Sequence, residues 1–151
     1  MMHMHHIVPG GARAACACTA LRKASRAVTR LYEDAMTGTG MSIIQFSILR
    51  NLARQRSVPL MELADRLVME RTTLYRALNP LRRRGWVALG DGEGRAKTAA
   101  LTRRGQRALQ GATGAWEGAQ ASLIGSLGNE EWARIESSLA RLVAVAIGTT
   151  E

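Results

Sequence analysis

The 151 residues make one domain's worth of chain, and 46% hydrophobic with 22% charged side chains excludes a disordered polymer. No apolar run nears the ~20 residues that cross a bilayer, and no charged start followed by an apolar stretch opens the chain, so neither a membrane protein nor a signal peptide is expected. The formal net charge of +9 points instead to a polyanionic partner, and Cys16-x-Cys18, the two cysteines, make no disulfide framework. A cytoplasmic protein with free thiols is the expectation.

Met1–Arg13 is rich in His, Met and Gly and reads as a flexible arm. From Ala14 to Thr37, Cys18, Leu21, Ser25, Val28, Tyr32 and Ala35 recur every three or four residues, which predicts an amphipathic helix ended by Gly38-Thr39-Gly40. A second helix is expected over Ser42–Arg54 with Ile44, Ile48, Leu49 and Leu52 inward. Pro59 suits the start of a short third helix with Leu60, Leu63, Ala64 and Leu67 on its apolar face. A fourth, about Glu70–Arg84, turns Leu74, Ala77, Leu78 and Leu81 inward and stops at Gly85. Trp86–Gly90 and Arg95–Leu101, joined by a glycine-rich tip, predict a β-hairpin. Thr102 then caps a long fifth helix whose Leu109, Ala112, Trp116, Ala119, Leu123 and Leu127 keep near-heptad spacing, and a sixth carries Trp132, Ile135, Leu139, Leu142 and Ala146.

Helix, tight turn, helix and hairpin between Leu60 and Leu101 form a winged helix-turn-helix, so the fold class expected is α+β, mostly helical. The charge distribution agrees with its mechanics. Residues 1–59 hold eight basic and two acidic side chains, residues 60–110 eleven and five, and residues 111–151 two and five. A helix fits the major groove of duplex DNA and reads bases with its first residues. With the leucines inward, the fourth helix shows Thr72, Tyr75, Arg76, Asn79, Arg82 and Arg83, with Thr73 at the margin. Thr72, Thr73 and Arg76, with Tyr75 beside them, are the candidates for base contacts. Arg82, Arg83 and Lys97 suit phosphates, and Arg95 suits a narrow minor groove.

The chain resembles the MarR family of transcriptional regulators through Gln45-Phe46, Leu63-Ala64-Asp65-Arg66-Leu67, Arg71-Thr72-Thr73-Leu74-Tyr75-Arg76, Leu81-x-x-Arg84-Gly85-Trp86-Val87 and Leu101-Thr102-x-x-Gly105. These stand in order at the family's spacing. The resemblance implies an obligate homodimer on a pseudo-palindromic operator, and repression of nearby genes, or less often activation, is the expectation. It implies dimerisation helices over 14–40 and 102–151, a DNA-binding lobe over 41–101, and Glu93-x-Arg95 placing its arginine in the minor groove. Three positions depart from the pattern. Val68 holds a turn position usually given to glycine, Glu70 is a poor helix cap, and Pro80 inside the fourth helix removes a hydrogen bond and predicts a bend.

Two sensing modes fit the residues. A small aromatic or anionic effector can lodge between the dimer helices and the DNA-binding lobe. Alternatively, Cys16 and Cys18 at a helix start gain reactivity from the helix dipole. Residues two apart on a helix point to nearly opposite sides, so a disulfide between the two is geometrically poor. Cys18 and Tyr32 share a face but lie ~21 Å apart along one helix. Their spacing resembles that of the organic-peroxide-sensing, OhrR-type branch, which implies that Cys18 meets Tyr32 of the partner subunit. A second tyrosine of that branch is replaced here by Arg22.

Other classes fit less well. All three histidines (His3, His5, His6) lie in the arm, so no His/Asp/Ser or paired-carboxylate arrangement can be assembled, and no enzyme and no cofactor are expected. The same histidines can chelate a metal only on that arm. A non-specific nucleic-acid-binding protein remains the alternative, though with three Trp, two Tyr and one Phe it has few rings for stacking.

Overall fold

The computed structural model describes residues 15–94 and 96–148; the expectations for the arm Met1–Arg13 and for Arg95 lie outside the described residues. The element order is α1 (Ala17–Met36), a 3₁₀ turn (Thr37–Thr39), α2 (Ile43–Leu52), β1 (Val58–Pro59), α3 (Leu60–Leu67), α4 (Arg71–Arg83), β2 (Val87–Asp91), β3 (Lys97–Leu101), α5 (Arg103–Leu127) and α6 (Asn129–Ile147). This is the expected winged helix-turn-helix, α+β and mostly helical. No described helix is long and apolar enough to cross a membrane.

Local chemistry accounts for two of the helix starts. Ser42 caps α2 through a complete capping box, its hydroxyl accepting the Gln45 N–H while the Gln45 side chain accepts the Ser42 N–H. Thr102 caps α5 by accepting the Gly105 N–H at 2.9 Å. The core lies between α2, α3, α4, the sheet and the first half of α5, around Ile48, Leu49, Leu52, Leu63, Leu74, Leu78 and Leu81. No described polar or charged residue is buried, so the core's cohesion is apolar packing.

The structure departs from sequence expectation at Ile44 and in the sheet. Ile44, expected inward, is 52% exposed, and Phe46 is buried instead. Ile44 shares a face with Ile48 but lies a turn nearer the helix start, where the core has ended. The hairpin gains a third strand: β1 pairs with β3, Val58 opposite Ala99 and Pro59 opposite Thr98, in the order β1-β3-β2. Helix α4 continues through Pro80, the expected site of a bend. Proline there leaves the Arg76 carbonyl without its usual helical donor, yet the last turn still closes with Arg84 N–H to the Pro80 carbonyl at 3.1 Å.

Val68 does adopt the left-handed conformation, at φ 51° and ψ 44°. Its N–H bonds the Asp65 carbonyl at 3.1 Å and the Met69 N–H bonds the Ala64 carbonyl at 2.9 Å, the paired closure in which glycine usually stands. The Val68 side chain is 55% exposed, so little packing offsets the backbone cost. Val68→Gly is therefore expected to raise the unfolding free energy by about 1 kcal/mol, the relieved strain exceeding glycine's entropy cost. Urea denaturation of the two proteins checks this, and an unchanged midpoint would show that the turn carries no strain.

The two long C-terminal helices extend beyond the core. In α5, Ala112 and Ala119 are buried, Leu109, Trp116 and Leu123 half-buried, and Leu127 exposed. In α6 no residue is buried, and Leu139, Leu142, Val143, Val145 and Ile147 are all exposed in the single chain. Leu21, Val28 and Leu31 of α1 are exposed in the same way.

Candidate nucleic-acid interface

The inward leucines of α4 fix what its other face shows. Leu74, Leu78 and Leu81 are buried, and Thr72, Thr73, Tyr75, Arg76, Asn79, Arg82 and Arg83 are all exposed. Glu70 stands at the cap position but its side chain accepts no bond from the first turn. The opening N–H groups of α4 therefore have no side-chain acceptor and present the positive end of the helix dipole outward. Neither Arg82 nor Arg83 has an ion-pair partner among the described residues.

The wing does not leave all its cations free. Lys97 Nζ donates to Asp91 Oδ1 at 2.6 Å across the hairpin beside its tip. The hydrogen bond and the opposite charge hold the Asp91 carboxyl below its ordinary range and raise the Lys97 ammonium above its own. Both groups are solvent-exposed, so the pair adds little stability, but it gives Lys97 a competitor for any phosphate. Asp91 was not singled out from the sequence. Its signal was present, since positions six apart flank a hairpin tip.

A cleft of about 500 Å³ opens between α1, α2 and α5, with Glu136 of α6 at its edge. Phe46 stacks on Trp116 with ring centroids 5.4 Å apart, and the Arg50 guanidinium lies 4.1 Å over the Trp116 ring. Arg54 also lines the cleft. Tyr32 is buried at its wall, and its hydroxyl donates to Gln120 Oε1 of the same chain. Burial raises the Tyr32 hydroxyl above the ordinary tyrosine range. Aromatic faces beside two guanidiniums suit a planar, anionic guest. Arg50 and Gln120 were not singled out from sequence, because only the folded α2–α5 contact brings them together.

The sequence model of the MarR family matches residues 39–96. The transcriptional regulator MosR of M. tuberculosis, in a crystal structure with DNA, is 36% identical and superposes with a TM-score of 0.81, over 90% of this chain and 99% of that one. This chain belongs to the MarR family. A second structure of M. tuberculosis MosR gives 35% identity and a TM-score of 0.78 over 91% of this chain and 99% of that chain. A probable transcriptional regulator from Pseudomonas aeruginosa, 22% identical over 85% of this chain and 97% of its own, shares the fold at a TM-score of 0.75. None of the curated proteins compared matches.

The thiols of this MarR-family chain sit at the open end of α1, and both are exposed. Cys16 is the cap residue, at φ −57° and ψ 119°, and not part of the helix. Opposite pointing of helical residues two apart therefore does not apply to it. Hydrogen bonds from the Thr19 backbone and hydroxyl, then from the Cys18 backbone, lower the Cys16 thiol below its ordinary range.

Proposed function

We propose that this protein is a transcriptional regulator that binds double-stranded DNA as a homodimer, represses from a pseudo-palindromic operator, and is released by a small aromatic or anionic effector. The observation that carries the reading is the fully exposed outer face of α4, with hydroxyls and Arg76 at its first turns and unpaired arginines at its last. Membership of the MarR family and the MosR–DNA complex support it. Thr72, Thr73, Tyr75 and Arg76 are the base-reading set, Arg82, Arg83 and Lys97 the phosphate set, and Arg95 the minor-groove probe. Residues 14–40 and 102–151 form the dimer arm, whose exposed leucines and valines need a partner surface. Residues 41–101 form the lobe that meets DNA.

Selection from a random duplex pool tests the first claim, with sedimentation of the free protein and the complex. An enriched inverted repeat bound by two chains is expected; failure to enrich any duplex overturns the reading. For the cleft, phenolic acids are expected to raise the melting temperature of the wild type but not of Arg50→Ala. A flat response across the panel would remove the cleft from the proposal. Asp91→Asn should free Lys97 for phosphate and steepen the salt dependence of binding by about one ion; an unchanged slope would show that Lys97 stays off the DNA.

The lowered Cys16 thiol favours a second reading, in which oxidation at Cys16 or Cys18 releases DNA. Pairing of Cys18 with Tyr32 of the partner subunit would require the Tyr32 hydroxyl to leave Gln120, with which it is engaged. Mild peroxide is expected to lower DNA affinity in the wild type and not in the double Cys→Ser variant. Equal responses in both would discard the thiol reading.

A further inference from the structure

The C-terminal end of α4 is fastened to the turn that follows α1 and to the start of α5, while its N-terminal end makes no such bonds. On one side, Arg84 Nη1 donates to the Gly40 carbonyl at 2.5 Å, and the same guanidinium lies 4.1 Å over the Trp86 ring. Gly40, at φ 70°, ends the 3₁₀ turn that follows α1. The bond therefore joins residues 44 apart in sequence, the end of α4 and the end of the α1 arm. The α1–α2 joint is itself closed by Glu33, whose Oε1 accepts the Ile43 N–H at 2.9 Å. On the other side, Thr102 Oγ1 donates to the Gly85 carbonyl at 2.6 Å and the Thr102 N–H donates to the Trp86 carbonyl at 3.0 Å. That ties the same end of α4 to the start of α5.

From this placement we infer that Arg84 is a positioning residue: its grip on Gly40 and Trp86 fixes the angle between the recognition helix and the dimer arm, and so the separation at which two half-sites are read. The inference rests on the DNA-binding dimer proposed above. Arg82 and Arg83, its neighbours, have no ion-pair partner, whereas Arg84 is already committed to a carbonyl and a ring within the fold. A planar guanidinium serves both contacts at once, and an ammonium cannot reproduce that fork. Two recognition helices must lie about one turn of DNA, roughly 34 Å, apart. Loss of the Gly40 bond removes one of the ties that set this angle and lets the lobe accept neighbouring spacings.

The test uses the full chain and the duplex it enriches from a random pool, rebuilt with the half-site separation changed by one and by two base pairs. Fluorescence anisotropy reads affinity, and thermal melts confirm that each variant folds. The wild type is expected to lose about thirtyfold in affinity on a shifted site, Arg84→Ala only about threefold, and Arg84→Lys an intermediate amount. Should Arg84→Ala not fold, Arg84→Lys and Trp86→Leu carry the comparison. Retention of the wild-type spacing preference by the variants overturns the inference. So does an equal loss on every spacing, which makes Arg84 an ordinary phosphate contact. A pool that yields no enriched duplex overturns the DNA reading itself, which is a different result.

Discussion

Gly105→Ala is expected to cost about 3 kcal/mol of unfolding free energy, the upper part of the range for overpacking a well-filled interior. Gly105 is buried in the first turn of α5, against Trp86, which follows the end of α4. A Cβ there overlaps the Trp86 carbonyl oxygen and lies 2.8 Å from Leu101 Cδ1 and 2.9 Å from the Trp86 carbonyl carbon. Two of those three atoms are backbone, so no rotamer change relieves the clash. The Trp86 carbonyl also accepts the Thr102 N–H, so moving it breaks the joint between wing and α5. Chemical denaturation measures the loss. Gly111→Ala, in the same helix with nothing within 4 Å of the new carbon, supplies the control and is expected to gain up to about 1 kcal/mol from helix propensity. Equal behaviour of the two variants would show that α5 does not pack against Trp86 as described.

The second large effect separates two arginines of one helix. Arg76→Ala should cost about 1–3 kcal/mol on the preferred duplex and relax selection at one base position. The reason lies in its place: two turns or less from the uncapped start of α4, on the face opposite Leu74 and Leu78, where a side chain reaches base edges. Arg83 closes the same helix, and its alanine variant should weaken all duplexes alike while lowering the salt slope by about one ion. Anisotropy across several salt concentrations, on preferred and scrambled duplexes, distinguishes the outcomes. A change of sequence preference in Arg83→Ala would mean that the helix enters the groove by its other end.

Much of this architecture was legible because its determinants are local. Periodic leucines fixed the inner face of α4, Thr102 marked the start of α5, and glycines marked the hairpin tip. Val68 was legible even as an anomaly, since a β-branched residue at a glycine position announces a left-handed turn. Non-local pairing escaped. Strand β1 is two residues long, too short for an alternating pattern, and exists only because Ala99 and Thr98 come alongside. Ile44 escaped because the run Ile43-Ile44-Gln45-Phe46 is apolar on more than one face, and neighbours alone decide which side is inside. At the candidate site the exposed cations could be named, but not their partners. Arg84 stood in the sequence only as part of Leu81-x-x-Arg84-Gly85-Trp86-Val87 and proved to be held by Gly40 and Trp86.

Helix α6 has 19 residues and buries none of them fully in the single chain. Most of a helix's stability in a protein comes from packing its apolar face and little from propensity. If its apolar stripe is satisfied by a second copy, association and folding become one equilibrium, and the melting temperature climbs with protein concentration. A freshly made chain at low abundance would then be a target for proteolysis before it is a regulator, and the cell's stock of the protein would have a floor below which it cannot accumulate.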